Sequence, residues 1–145
     1  MNWKNEATDV LRLYEAKKLA LGSIPEELKT LKADLTAIRG AVMDAAAAPG
    51  GGSKREDRLM NNLVRQEELS RNLTQTKRWV ARADKALSCL TEEERLVLRR
   101  LYICPESGAM ARLAEELGLE QRTIYRRKDD ALKRFTVALY GLCES

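Results

Sequence analysis

The sequence predicts an all-α chain, an N-terminal helical hairpin or coiled coil followed by a helix-turn-helix domain, and three observations carry that prediction. Apolar residues recur at alternating steps of three and four, as in Leu28, Leu31, Leu35, Ile38 and Val42, which keeps one side of a helix apolar. Helix-start signals of the form S/T-x-x-E precede three periodic segments, at Ser23 to Glu26, Ser53 to Glu56 and Thr91 to Glu94. β-Branched residues never cluster and proline is rare, so nothing favours strands.

A first helix spans Asn5 to Leu21, with Val10, Leu13, Tyr14, Lys17 and Leu21 at helical spacing, and Gly22 with Ser23 stops it. A second starts at Ser23, with Pro25 in a first turn whose amides lack internal partners anyway. Its 28–42 stripe wants a facing helix, and it also suits a homodimer through the N-terminal helices. The stripe fades in Ala45 to Ala48. Pro49-Gly-Gly-Gly-Ser53 then breaks the helix, because proline lacks a donor and ordered glycine is entropically costly. A long third helix runs to about Leu90, with Leu59, Leu63, Leu73, Val80 and Leu87 in a sparser heptad rhythm and Gln66, Ser70 and Lys77 between them. Folded back across the glycine turn it makes an antiparallel hairpin, with Tyr14 and Trp79 in its core. Residues 1–90 are therefore read as N-terminal helices and a coiled-coil hairpin with its Gly-rich turn at 49–53, and residues 91–145 as the helix-turn-helix domain. Within the latter, one helix runs from Thr91 to Ile103, a second from about Ser107 to Leu117, and the last from about 121 to 140, with Gly141 beyond its end.

Several function classes are disfavoured. The chain has no histidine, no glycine-rich phosphate loop completed by Lys-Ser/Thr, and no nucleophile beside an evident base, so no catalytic residue, cofactor or metal site is expected. Cys89, Cys104 and Cys143 are odd in number and far apart, which suits a reducing compartment. Cys89 and Cys104 are read as small apolar packing residues. No signal-peptide pattern and no apolar window long enough for a membrane span occurs, so the expected location is the cytoplasm. The acidic run Glu92 to Glu94 is read as a complement to a helix dipole.

The segment LAEELGLEQRTIYRRKDDAL, Leu113 to Leu132, has helix-turn-helix spacing. Ala114 is small where two helices cross, Gly118 supplies a left-handed turn, and Leu113, Leu117, Leu119 and Ile124 close the space beneath. Between Gln121 and Arg134 stand Arg122, Arg126, Arg127, Lys128, Lys133 and Arg134 against Asp129 and Asp130. At 100° per residue Ile124, Ala131, Leu132 and Phe135 face inward, leaving Gln121, Arg122, Tyr125, Arg126 and Asp129 outward. Arginine can fork onto guanine, glutamine onto adenine, and tyrosine can donate to phosphate or pack on a thymine methyl. Thr123, Lys128 and Lys133 suit phosphates. A further basic group, Arg71, Lys77, Arg78, Arg82 and Lys85, is read as a solvated face.

From Leu90 onward, LTEEERLVLRRLYI and then ARLAEELGLEQRTIYRRKDDALKRF resemble region 4 of sigma-70-type factors, where LT-x-x-E-R-x-V-L opens the domain and AL-x-x-F/L closes it. With the coiled-coil segment before it, the chain resembles phage-encoded sigma-region-4-like regulators of the ArpU and RinA late-gene activator type. The resemblance implies a transcription regulator that binds double-stranded DNA, places Gln121, Arg122, Tyr125 and Arg126 on promoter bases with Thr123 at the backbone, and engages RNA polymerase. Arg127 stands where the pattern has an aliphatic residue. Two other readings use the same features: a small terminase-like DNA-packaging subunit, and a helical protein-interaction module acting through residues 23–90 without touching DNA.

Overall fold

The computed structural model describes residues 2–44 and 52–143, the side chains of 42–44 and 52–53 excepted. The chain is all-α. Its order is α1 (Trp3–Asp44), α2 (Gly52–Ser88), α3 (Glu92–Leu98), a π-helical turn (Arg99–Ile103), α4 (Ala109–Leu117) and α5 (Gln121–Tyr140). Two compact units result, Leu19–Lys77 and a second made of Met1–Lys18 with Arg78–Ser145. The unit holding the C-terminal helices thus takes in the first turns of α1 and the last turns of α2.

The two helices expected to meet at Gly22 and Ser23 are one. Asn2 starts α1, its side chain accepting from the Asn5 amide at 3.0 Å, and the helix continues through Pro25. Ser23 does not cap; its hydroxyl donates to the Leu19 carbonyl at 3.2 Å. Proline removes the amide that the Leu21 carbonyl would use. Pro25 is exposed, so water can serve that carbonyl, while Leu21, Ile24 and Leu28 keep the apolar seam in step across it. Seam continuity outweighs the lost bond.

In Leu19–Lys77 the two helices run antiparallel: Glu27 meets Arg65 at 3.6 Å, and the Leu31 carbonyl accepts from Asn62 at 2.8 Å. Leu28, Leu31 and Leu35 are buried as expected, and Ile38 is half-buried. The face of α2 differs from the expected one. Leu63 is exposed, as are Ser70 and Lys77, whereas Asn62 and Thr76 are buried. The seam steps through Leu59, Asn62, Gln66, Leu69, Leu73, Thr76 and Val80, so beyond Leu59 it takes the polar residue three on, Asn62, and not the leucine four on. Its polar members are satisfied internally: Asn62 accepts from Gln66 at 2.6 Å, and Thr76 donates to the Asn72 carbonyl at 2.7 Å. Val42 and the Pro49–Ser53 turn, with the Ser53 cap, lie outside the described residues or side chains.

The other unit is built around Leu11, Val97, Leu98, Leu113, Ile124 and Phe135, all fully buried. Ala7, Leu11 and Tyr14 form the buried face of α1 here, and Leu13 faces water, one residue off the expected face. Tyr14 is held by a hydrogen bond from its hydroxyl to Asp84, and burial followed by that bond pushes its pKa up to about 12. Trp79 is half-buried beneath the Lys17 ammonium, 5.5 Å from the ring centre. Thr91 and Glu94 form the expected capping box of α3. The helix does not reach Ile103 as an α-helix, because it widens into a π turn closed by the Cys104 amide on the Arg99 carbonyl at 2.8 Å. That turn buries Ile103 and sends Arg100 to Glu116 at 2.9 Å and Glu106 at 3.5 Å. α4 begins at Ala109, not Ser107, because Gly108 turns the chain with φ of 70°. Cys89 and Cys104 are exposed, not packed: both fall in corners between helices.

Candidate nucleic-acid interface

α4 ends in a left-handed turn at Gly118, φ 65° and ψ 34°. The Gly118 amide donates to the Glu115 carbonyl and the Leu119 amide to the Ala114 carbonyl, at 3.3 and 2.9 Å. This pair of bonds is a Schellman cap, which reverses the chain in the space of two residues. Leu113 and Ile124 lie fully buried on either side of the turn, with Ala114, Leu117 and Leu119 half-buried. α5 therefore leaves the turn with its phase set by Ile124.

That phase buries Ile124, Ala131, Leu132 and Phe135, the four residues expected to face inward. Gln121, Arg122, Tyr125 and Arg126 are exposed on the first two turns. Neither Arg122 nor Arg126 has an ion pair or hydrogen bond among the described residues. Thr123 is half-buried. Glu120 precedes α5 without a side-chain cap, and its carbonyl takes the Thr123 and Ile124 amides. The Gln121 and Arg122 amides keep no internal acceptor among the described residues, as at any helix start.

Farther along α5 the charges are engaged. Lys128 is half-buried with its ammonium 5.0 Å from the Tyr125 ring centre. Asp129, expected to point outward, is half-buried because α1 reaches it: Lys4 pairs with its carboxylate, and Lys133 lies 3.7 Å away. The Lys4 hydrogen bond, joined by the charges of Lys133 and Lys128, holds the Asp129 carboxyl below its ordinary range. Arg127 turns toward α3, its Nη1 at 2.8 Å from both oxygens of Glu93. Arg134 reaches Glu94 at 3.2 Å. A groove between α3 and α5 lies along these pairs, lined by Thr91, Glu93, Asp130 and Lys133 among others.

Sequence reasoning did not foresee these partnerships, nor that of Arg82. Lys4 and Asp129 are 125 residues apart, and no periodicity links them. Glu93 and Arg127 carried a legible signal, opposite charges on helices that share a core. Arg82, read as part of a solvated face, donates to the Leu139 carbonyl at 2.5 Å and lies over the Tyr140 ring, so it satisfies a carbonyl at the end of α5. Its companions Arg71, Lys77, Arg78 and Lys85 are exposed. Among the described residues no group of three His, Cys, Asp or Glu side chains converges to hold a metal, and no helix is long and apolar enough to cross a membrane. No protein-family model matches the chain, and neither a curated protein nor a solved structure does.

Proposed function

We propose that this chain is a sequence-specific DNA-binding transcription regulator of phage or prophage origin, with α4 and α5 acting as a helix-turn-helix of the sigma-70 region 4 kind. In this reading α5 enters the major groove by its first two turns. One observation carries it: Gln121, Arg122, Tyr125 and Arg126 stand exposed together on α5, and Arg122 and Arg126 have no ion pair or hydrogen bond among the described residues. An arginine that serves the fold is found paired, as Arg127 and Arg134 are. The two left free have the planar fork that fits guanine O6 and N7.

Around them lie groups suited to the phosphate backbone: Thr123, Lys128, Lys133 and the unbonded first amides of α5, whose dipole favours an anion. Pairing of Asp129 with Lys4 removes an uncompensated negative charge from beside that surface. Duplex DNA in the cytoplasm is the partner, and RNA polymerase is the partner through which regulation would act.

Selection of bound sequences from random duplexes, followed by titration across salt, tests the reading. A selected motif should bind in preference to scrambled DNA, with affinity falling linearly on a log–log salt plot as counterions are released. A folded protein that binds no duplex at low salt refutes it.

A further inference from the structure

Asp129 stands in the middle of the outward face of α5. At 100° per residue its direction falls between those of Tyr125 and Arg126, and it lies about 5 Å farther along the axis. Its side chain is 44% exposed, so an anion borders the surface that the proposed reading gives to DNA. Two cations meet it from different elements. Lys133, on α5 itself, is 3.7 Å from one carboxylate oxygen. Lys4, on the first turn of α1, bonds the other.

The packing of α1 puts Lys4 there. It opens the stripe Lys4, Ala7, Thr8 and Leu11, whose other three members are buried, and beside it the Trp3 ring lies 4.9 Å from that of Tyr140 on α5. A lysine at the edge of such a stripe rests its stem on the packed surface and carries its ammonium outward. The other charges lining the same groove are turned elsewhere. Asp9 lies 3.9 Å from Arg12, and the Lys128 ammonium sits over the Tyr125 ring. Among the described residues, Asp129 is therefore paired by Lys4 and Lys133 alone.

These two pairings compete for one carboxylate. A lysine held by an anion offers less of its charge to a phosphate, and Lys133 is one of the groups suited to the DNA backbone. With Lys4 removed, Lys133 would be the remaining partner of Asp129, one turn away on the same helix. We infer that Lys4 is a positioning residue for DNA binding: reaching across from α1, it neutralises Asp129 and leaves Lys133 for a backbone phosphate. The first turn of α1 is then a working part of the DNA-binding unit, an inference that rests on the DNA-binding reading of α5.

Fluorescence anisotropy of the full chain on a labelled duplex taken from the selection, repeated across salt, tests this with K4M, K4R, D129N and the K4M/D129N double variant. K4M keeps the stem and removes the charge. It should bind roughly fivefold more weakly at low salt, with a log–log salt slope smaller by about 0.9, one phosphate contact, while melting close to the parent. K4R should restore both quantities. D129N should bind at least as tightly as the parent, and adding K4M to it should cost nothing further, because no carboxylate is left to neutralise. A pair that only holds α5 in place would make D129N as weak as K4M. A lysine that touches DNA directly would make K4M as costly in the D129N background as in the parent. Either result overturns the inference, as does K4M binding like the parent. A parent chain that binds no duplex refutes the DNA-binding reading itself, and the inference with it.

Discussion

Arg126 and Arg127 adjoin in sequence, yet replacing each by alanine should separate recognition from folding. Arg127 bonds both oxygens of Glu93 at 2.8 Å, with the side chains 44 and 37% exposed. A pair this open to water is worth about 0.2–1 kcal/mol. R127A should then lower the melting temperature by roughly 1–4 °C for a chain of this length. Arg126 has no partner to lose among the described residues, so R126A should stay within about 0.5 kcal/mol of the parent. On the proposed reading its cost falls on base discrimination: one forked guanine contact is worth about 1–3 kcal/mol. That corresponds to about a 5- to 150-fold loss of preference for the selected duplex over a scrambled one. Thermal melts and fluorescence anisotropy at one salt concentration read the two quantities separately. E93A should reproduce R127A, and the double variant should melt no lower than either single one, because the pair is one interaction. Two results would refute the reasoning: R126A melting as low as R127A, or R126A keeping full discrimination while folded R127A loses it.

Gly118→Ala meets no atom within 4 Å of the new Cβ, so its cost is the left-handed backbone alone, about 1–2 kcal/mol; the melting temperature should fall, and Gly118→Asn should fall less. Asn62→Ala should cost about 1–2 kcal/mol in urea unfolding through the lost bond and the space left, whereas Asn62→Leu should hold or raise stability, as apolar replacements at such seam positions do. Asp129 titrates below its ordinary value when folded, so its contribution is complete above about pH 4 and is lost as pH falls through the lowered value. D129N should flatten the acid limb of a stability–pH profile, and an unchanged limb would contradict the Lys4 pairing. Tyr14 carries the opposite sign: with its folded pKa near 12, its contribution is complete below the unfolded value near 10 and disappears as pH rises through the folded one. Y14F should therefore blunt the alkaline loss of stability.

How legible the fold was depended on the range of the forces involved. Gly118, the Thr91–Glu94 box and the inward face of α5 were readable because each acts within one or two turns, where spacing and geometry are nearly the same thing. Pro25 misled for a related reason. A local stop signal was opposed by the seam from Leu21 to Leu35, whose energy comes from a helix roughly thirty residues away in sequence, and packing outweighed one missing amide. Apolarity alone marks Leu63 for burial, yet it is exposed. The seam takes Asn62, which finds the Leu31 carbonyl, and the leucine is left to water.

The charge on α5 makes the same point about the candidate site. Six cations against two anions between Gln121 and Arg134 looks like one basic patch, and a basic patch alone argues weakly for DNA. The fold divides it. Arg127 and Arg134 are drawn to the acidic first turn of α3, which accordingly does more than complement a helix dipole, and Lys133 lies beside Asp129. What is left outward is smaller than the sequence count but chemically sharper: two arginines unpaired among the described residues, a glutamine and a tyrosine on successive turns. Net attraction for phosphate is thereby reduced and base-edge chemistry retained. A binder relying on charge alone would have the reverse, so specificity rather than raw affinity is the property on which α5 should be judged.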